Sequence, residues 1–288
     1  MEINIGGHLH TAGPGHEQVM AIINITPDSF FAGSRRQSDR EIAHAVEQAL
    51  RDGASILDLG GYSSRPGATD IPAEEELRRL EQGVATARTV AGDDFPLSVD
   101  TFRASVVEAL YDRFGAFIVN DISAGTLDPA MISLVGRLKL PYIAMHMRGT
   151  PQTMTSLTDY PAREGGVVGE VLRYFVRTTA EAREAGIRDL ILDPGFGFAK
   201  SVDQNFELLA ALDRLSVFGF PILAGLSRKS MIWRTLECTP AEALNGTSML
   251  NWEALQRGAT ILRVHDVREA SETIRLFQAY RAASRSAR

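Results

Sequence analysis

The stretch that decides the fold spans residues 19–60. An apolar run, VMAIIN (19–24), is followed by the amphipathic stretch SDREIAHAVEQALRDG (38–53) and by a second apolar run, SILDLG (55–60). Ser38 and Glu41 form an S-x-x-E capping box, and Gly53 stands where a helix C-terminal cap belongs. The apolar residues between them recur at helical spacing: Ile42, Ala45, Val46, Ala49 and Leu50. The stretch therefore predicts a strand, a helix beginning at Ser38 and a second strand, which is the repeating unit of a parallel sheet.

The same alternation continues to the end of the chain. Six further apolar runs predict strands: PLSVD (96–100), AFIVND (116–121), YIAMH (142–146), LILD (190–193), PILAG (221–225) and TILRV (260–264). Helical spacing or capping signals mark the stretches near residues 72–84, 106–114, 131–138, 168–175, 206–212, 239–242 and 269–283. Eight strands alternating with eight helical segments predict an α/β fold, a single (β/α)8 TIM barrel. A doubly wound open sheet is the alternative, but eight regular units without a mid-chain linker favour closure.

The barrel is predicted to span residues 19–283 as one domain. Residues 1–18 form a short N-terminal extension, and its glycine- and histidine-rich part is expected to fold as a small hairpin that covers the bottom of the barrel. Residues 284–288 are expected to be a frayed tail. No composition change inside the barrel indicates a second domain.

Composition narrows the class of protein. The 288 residues include 44% hydrophobic and 23% charged residues, as in a soluble globular protein that can bury a large core. A formal net charge of −6 gives no electrostatic reason to expect a nucleic acid or an anionic membrane as partner. The single cysteine, Cys238, excludes an intrachain disulfide and fits a reducing compartment. With no signal peptide or membrane span in the sequence, we expect a cytoplasmic enzyme or binding protein.

Basic residues are distributed unevenly between the two main types. Only three of the 30 lysines and arginines are lysines, at Lys139, Lys200 and Lys229. Arginine therefore meets the general need for surface charge, and each lysine is a candidate for a specific role.

Most of the predicted strands stop at a polar residue. In chain order these residues are Asn24, Asp58, Asp100, Asn120, His146, Asp193, the loop 227–230, and Arg263 with His265. One such residue alone usually caps the following loop. In a barrel, however, all eight carboxyl ends meet at one face, which is where active sites lie. The whole set therefore predicts a single site at that face.

The set has a definite chemical character. Asp100, Asn120 and Asp193 can accept hydrogen bonds from a planar ligand, while Lys229 and Arg263 can donate them. Asn24 offers an oxygen that suits Mg²⁺. Residues able to bind phosphate oxygens are Ser64, Arg65, Ser227, Arg228 and His265. These residue types predict a site for a hydrogen-bonding heterocycle with an anionic, metal-bound tail.

Eight motifs, taken together, resemble the dihydropteroate synthase family, the folate-pathway enzymes blocked by sulfonamides. The motifs follow one another in family order over nearly the whole chain: INITPDSF (23–30), GGYSSRPGA (60–68), SVDTFR (98–103), NDISAG (120–125), AMHMRGTPQTM (144–154), LDPGFGFAKS (192–201), GLSRKS (225–230) and ILRVHDV (261–267). The resemblance implies a (β/α)8 barrel that forms a homodimer. It also implies a transferase that joins p-aminobenzoate to 6-hydroxymethyl-7,8-dihydropterin diphosphate with Mg²⁺ and yields 7,8-dihydropteroate and pyrophosphate.

The resemblance also implies roles for individual residues. Those expected to bind the pterin diphosphate are Ser64, Arg65, Asp100, Asn120, Asp193, Lys229, Arg263 and His265. Of these, Lys229, Arg263, His265 and Asp100 are the expected catalytic residues. Phe198, Ser230 and Ser64 would shape the p-aminobenzoate pocket, and Asn24 would hold the metal. Thr26 to Phe31 would begin a first mobile loop, and Ser64 and Arg65 would belong to a second.

Three positions depart from the usual family pattern. Tyr62 replaces a glutamate, Ser64 a threonine and Ala199 a glycine. Because Ser64 keeps a hydroxyl, none of the three changes removes a pterin- or metal-contacting residue type. Two alternative functions nevertheless stay open. One is a noncatalytic pterin-binding paralogue, and the other is the methyltetrahydrofolate-binding barrel of a corrinoid methyltransferase.

Overall fold

The computed structural model describes residues 2–25, 35–64 and 69–286, with the backbone alone for 35–38 and 285–286. In these ranges the strands are β1 Glu2–Ile5, β2 His8–Thr11, β3 Gln18–Asn24, β4 Ile56–Gly60, β5 Leu97–Asp100, β6 Ile118–Asp121, β7 Tyr142–Met145, β8 Leu190–Asp193, β9 Leu223–Ala224 and β10 Ile261–Val264. The α-helices are α1 Arg35–Arg51, α2 Ala73–Ala91, α3 Ala104–Phe114, α4 Met131–Leu138, α5 Gly166–Glu184, α6 Val202–Ala210, α7 Ser230–Thr235, α8 Leu244–Gln256 and α9 Val267–Ser286. None of these helices is long and apolar enough to cross a membrane.

Strands β3 to β10 form one parallel sheet in the order β8-β7-β6-β5-β4-β3-β10-β9. A parallel bridge between Leu192 and Ile222 joins the two ends of this sheet. The predicted (β/α)8 barrel is therefore confirmed, and the doubly wound alternative is wrong. Pairing register aligns Asn24 with Gly60, Gly60 with Asp100 and Asp100 with Asn120 at the carboxyl end of the barrel.

The barrel strands are apolar runs because both of their faces are buried. Their inward residues near the amino ends form a layer of mostly β-branched side chains: Met20, Ile56, Ile118, Ile143, Ile191, Leu223 and Ile261. Strands β1 and β2 pair as an antiparallel hairpin, and Ile3 and Ile5 of that hairpin pack on this layer. The hairpin thus closes the bottom of the barrel and leaves the opposite face for a site.

Two helix ends differ from the sequence predictions. Helix α1 begins at Arg35, so Ser38 lies inside the first turn and not at its cap. Its extra residues, Arg35 to Gln37, are good helix formers, which accounts for the earlier start. Helix α9 continues to Ser286, three residues beyond the predicted end of the barrel at residue 283. Alanines at 282 and 283 favour that continuation, and residues 287–288 lie outside the described part of the chain.

The predicted cap at Thr239 is present, but it serves a shorter element. Thr239 and Glu242 form a reciprocal capping box around the 3-10 turn Pro240–Glu242, and α8 begins two residues later. The βα unit after β9 therefore carries two α-helices, α7 and α8, where the sequence pattern predicted one.

Candidate active site

A network of ion pairs lies at the carboxyl end of the barrel, centred on Asp58. Arg263 Nε donates to Asp58 Oδ2 at 2.6 Å, and Arg263 Nη2 donates to Asp100 Oδ2 at 2.6 Å. Asn120 Nδ2 donates to both oxygens of Asp58, at 3.1 and 3.3 Å. Four strands, β4, β5, β6 and β10, thus contribute to one network. Asp58 is the member to which the sequence assigned no role, although its place at a strand end was the available signal.

The charges of this network are strongly coupled. Burial raises the pKa of Asp100 to about 7, although the guanidinium of Arg263 opposes the shift. Burial also disfavours the charge of Arg263, but the carboxylates of Asp58 and Asp100 outweigh it and raise the pKa of the arginine. Arg263 therefore stays cationic, and Asp100 is the member whose protonation can change near neutral pH.

A second charged pair completes the predicted pterin-binding set. One oxygen of Asp193 accepts from Gly195 N at 2.8 Å, and the other bonds no described residue. Lys229 lies near enough for the carboxylate to favour its ammonium form, although burial lowers the pKa of Lys229 to about 8. Lys229 Nζ lies 4.3 Å from the ring centre of Phe198. Asp193, Lys229 and Phe198, which the sequence placed in one site, are therefore neighbours.

Asn24 lies at the same face, beside Gly60. A methyl group at Gly60 would lie 3.7 Å from Asn24 Oδ1 and 4.0 Å from Asp100 Oδ2, so both oxygens flank this glycine. In the described ranges no cluster of three or more histidine, cysteine or acidic side chains could hold a metal alone. Mg²⁺ usually keeps several waters and binds through a few protein oxygens plus substrate phosphates. Asn24 fits a magnesium ion of that kind.

The predicted anion-binding end is described only in part. Ser227 Oγ lies 3.1 Å from His265 Nδ1 and also accepts from the backbone N–H of His265 at 3.2 Å. His265 is exposed and Ser64 is half-buried, so a ligand can reach both side chains. Arg65 and the first loop, from Thr26 to Phe31, lie outside the described residues. Ser227 and His265 thus supply one hydroxyl and one imidazole at the rim.

Arg228 does not join the anion-binding end, contrary to the sequence prediction. Its Nε and Nη2 donate to the two carboxylate oxygens of Asp266 at 2.9 and 2.8 Å. Its Nη1 donates to the carbonyls of Pro240 and Ala241. Four hydrogen bonds hold the guanidinium, so Arg228 ties the loop to the segment before α8. The backbone of Arg228 has φ 53°, and this left-handed turn directs it away from its neighbour Lys229.

An apolar wall stands above the charged groups. Its buried members are Ile122, Met145, Met147, Met154 and Ala199, with Phe102, Leu127 and Phe198 packed against them. Methionine side chains adapt to irregular shapes, and aromatic rings offer flat faces. A planar ligand bound to the acceptors below would therefore contact an apolar surface.

Tyr62 contributes to the structure beside the second loop. Its hydroxyl accepts from Gln152 Nε2 at 3.0 Å, and its ring meets Phe102 edge-on with 5.2 Å between ring centres. The guanidinium of Arg103 lies 5.4 Å from the Tyr62 ring centre and bonds the buried carboxylate of Glu76. Tyr62 thus joins the loop after β4 to the loop after β7. Ser230, at the start of α7, is half-buried next to Lys229 in sequence.

His146 is not open to a ligand, although it ends a barrel strand. Its side chain is fully buried and its Nδ1 lies 3.0 Å from Lys200 Nζ. Burial, and then the charge of Lys200, lower the pKa of His146 well below its ordinary value. Sequence reasoning noticed both residues but did not pair them, because they are 54 positions apart.

Residues 20–265 match the family described as "Pterin binding enzyme". This match covers most of the chain and includes all the site residues named above. The chain belongs to the pterin-binding enzyme family. Among curated members, the chain is 40% identical to the dihydropteroate synthase of Synechocystis sp. over 91% of its length and 89% of that protein. It is 38% identical to the dihydropteroate synthase of Escherichia coli over 95% of both.

Solved structures of pterin-binding enzymes share the fold. A dihydropteroate synthase of Xanthomonas albilineans with 4-aminobenzoic acid superposes with a TM-score of 0.87 at 38% identity, covering 98% of both chains. A structure from the same organism in complex with 7,8-dihydropteroate gives a TM-score of 0.84 at 35% identity, over 98% and 99% of the two chains. A Yersinia pestis dihydropteroate synthase with a sulfonamide drug gives 0.86 at 34% identity, over 98% and 100%.

Proposed function

We propose that this pterin-binding enzyme is a dihydropteroate synthase, a transferase of folate biosynthesis. It joins p-aminobenzoate to 6-hydroxymethyl-7,8-dihydropterin diphosphate and yields 7,8-dihydropteroate and pyrophosphate. The observation that carries the proposal is the set of groups gathered at one face of the barrel from four strands and from the loop after β9. These groups are acceptors on Asn120, Asp193 and Asp100, and cations on Lys229 and Arg263.

The geometry suits the edge of a pterin ring. The carboxylate of Asp193 keeps one oxygen for a ligand N–H, and Asn120 keeps its side-chain oxygen because its amide N–H groups bond Asp58. Lys229 can donate to the acceptor atoms of the ring. Arg263 is fixed by two carboxylates, so its planar guanidinium can cover the ring without losing its orientation.

The reaction replaces one bond at a single carbon. The C–O bond to the diphosphate breaks and its electron pair leaves with pyrophosphate, while the amine of p-aminobenzoate forms the C–N bond and loses a proton. The electron-rich pterin can stabilise positive charge at that carbon, so the protein needs no nucleophile. Its task is to neutralise the leaving group and exclude water.

Pyrophosphate, the leaving group, would bind at the outer edge of the barrel mouth, near His265. His265, Ser227 and Ser64 offer donors there, and Arg65 belongs to the same proposed set. Asn24 would hold Mg²⁺ together with diphosphate oxygens, and the bound metal would offset the charge that develops on pyrophosphate. A well-aimed hydrogen-bond donor to such a leaving group lowers the activation barrier by roughly 3 kcal/mol. Phe198, Ser230 and Ser64 would form the p-aminobenzoate pocket beside Lys229.

We also propose a cytoplasmic homodimer. The C-terminal helices expose large apolar side chains, Met249 on α8 and Leu276 and Tyr280 on α9, each more than half exposed. Helices α8 and α9 pack against each other, so these residues can form one surface. Light scattering should give the mass of two chains, and Leu276→Glu should shift it toward one.

The decisive experiment measures pyrophosphate release from the pterin diphosphate, with and without p-aminobenzoate and Mg²⁺. Release that requires all three, with 7,8-dihydropteroate accumulating, supports the synthase. Tight pterin binding without release would identify the noncatalytic paralogue instead. Binding of methyltetrahydrofolate without any affinity for the pterin diphosphate would identify the methyltransferase barrel.

A further inference from the structure

We propose that Lys200 is a positioning residue, whose side-chain nitrogen fixes the loop of residues 195–198 and thereby sets Phe198 against Lys229. The inference rests on the proposed function and deepens it, because Phe198 is the aromatic wall of the proposed p-aminobenzoate pocket. Lys200 itself does not reach that pocket, since its side chain lies beneath the loop.

Three polar contacts surround the side-chain nitrogen of Lys200. Its Nζ donates to Gly195 O at 2.9 Å and to Phe198 O at 3.0 Å, and it lies 3.0 Å from His146 Nδ1. The residue is only 9% exposed, and burial lowers its pKa to about 7. Both the ammonium form and the neutral amine have the two N–H donors that the carbonyls require. The lysine therefore holds both ends of a four-residue loop at one point.

The loop needs such a partner because of its backbone shape. Gly195 and Gly197 have φ of 70° and 80°, and Ala199 has φ of 50°. Within this turn Gly195 O already accepts from Phe198 N at 3.1 Å, whereas Lys200 is the donor that the described residues provide for Phe198 O. On its other side the loop is held by Asn205 Oδ1, which accepts from Gly197 N at 2.7 Å.

The loop passes its position directly to the substrate side. The Phe198 ring centre lies 4.3 Å from Lys229 Nζ. A methyl group at Gly197 would lie only 2.9 Å from Lys229 Cδ, so the loop backbone packs closely on that side chain. Any displacement of residues 195–198 therefore moves the Phe198 ring relative to Lys229. Asn120, by contrast, lies on strand β6 and bonds Asp58, while Asp193 lies on strand β8 and meets the loop only at Gly195 N, from which it accepts at 2.8 Å.

His146 contacts the lysine through Nδ1, while its buried Nε2 has no hydrogen-bond partner among the described residues. Nδ1 accepts from Lys200 if the imidazole proton is on Nε2, and donates to a neutral amine if the proton is on Nδ1. The ring is fully buried and meets Tyr174 edge-on, with 4.9 Å between ring centres. Its backbone carbonyl also lies against Gly195, where a methyl group would approach it to 2.0 Å. His146 thus contacts the lysine and the first residue of the loop together.

The test compares Lys200→Met with Lys139→Met, which removes the same charge from an exposed lysine at the end of α4. Lys200→Met should raise the KM for p-aminobenzoate about tenfold, because the released loop no longer holds the Phe198 ring in place against the substrate. The KM for the pterin diphosphate should change less than about threefold. The control should match the unmodified protein in both. Equal rises in the two KM values would overturn the proposal.

A double-mutant cycle with Phe198→Ala separates positioning from general destabilisation. If Lys200 acts through Phe198, then Lys200→Met should add little to the p-aminobenzoate KM once the ring is gone. Independent, multiplicative effects of the two substitutions would contradict the inference.

A measurement independent of activity keeps the two proposals distinguishable. Nitrogen-15 spectra of the six histidines, with His146 assigned by His146→Gln, report the tautomer of the ring. The inference requires Nδ1 of His146 to be hydrogen-bonded in the unmodified protein and to lose that bond in Lys200→Met. An Nδ1 signal that is the same in both proteins would overturn it even if dihydropteroate forms. A protein that releases no pyrophosphate would refute the function alone, while the histidine spectrum would still decide the lysine contact.

Discussion

Replacing Lys229 by methionine should make the protein more stable while it weakens pterin binding. The pKa of Lys229 falls from 10.5 to about 8 on folding, chiefly because the ammonium group is buried. Each pKa unit corresponds to about 1.4 kcal/mol, so the charge costs the folded state about 3 kcal/mol at neutral pH. The contact with Phe198, worth about 1 kcal/mol, is lost in the variant, and partial exposure lessens the cost further. We expect a net gain of about 1–2 kcal/mol.

The pH dependence of this gain follows from the direction of the shift. A lysine whose pKa is lowered on folding binds its proton more tightly in the unfolded chain. Its cost to stability is therefore complete below about pH 8 and disappears as the pH rises to 10.5. Thermal unfolding should show a higher Tm for Lys229→Met at pH 7, and the difference should shrink above pH 8. Pterin affinity should fall about 10- to 100-fold, because a charged donor is lost.

Lys139→Met is the matched control, since it removes an exposed lysine that follows α4 and belongs to no part of the proposed site. It should change neither the Tm nor pterin affinity. An unchanged or lower Tm for Lys229→Met at pH 7, together with unchanged pterin affinity, would refute both the buried charge and its role in the site.

Three further predictions concern the rim and the loops. His265→Ala should lower turnover roughly 10- to 100-fold and pterin affinity less than about threefold, because its imidazole would act on the departing diphosphate. Steady-state kinetics measures the turnover, and calorimetry measures the pterin affinity. Tyr62→Phe removes the acceptor of Gln152 and should cost about 1 kcal/mol of stability with turnover nearly unchanged, as thermal unfolding and the same assay will show. Arg228→Met should cost about 2 kcal/mol because it leaves Asp266 unpaired, and a preserved Tm would contradict the structural role of this arginine.

The fold was predictable from sequence because burial on both faces makes the barrel strands mostly apolar. Runs such as LILD at 190–193 then stand out between amphipathic helices, and β8 has the predicted bounds. Helix ends were less predictable, because good helix formers extend a helix past a capping signal, as Arg35 does before Ser38.

The site was predictable only as far as strand ends determine it. Asp100, Asn120 and Asp193 follow from their positions, because barrel topology brings strand ends together. The partner of each side chain does not follow, since Arg263 meets Asp58 across 205 positions of sequence. In the loop 227–230, a left-handed residue decides that Lys229 and not Arg228 faces the site. Arg228 instead binds Asp266, a partner 38 positions away that local sequence does not indicate.

The barrel mouth combines groups that oppose folding for the same physical reason. Burial holds the pKa of Asp100 near 7 and that of Lys229 near 8, so each loses part of the stability that its charged form would have in water. The hydrogen-bonding edge of a pterin would give both groups partners in the desolvated site, where such bonds are strong. The free energy of pterin binding would then offset part of the cost of burying these two groups during folding. Asp100 gives only its Oδ2 to Arg263, so its Oδ1 can meet a ligand, whereas Asp266 already binds the guanidinium of Arg228 with both oxygens. The groups that folding leaves unsatisfied are therefore the ones that a ligand should recognise.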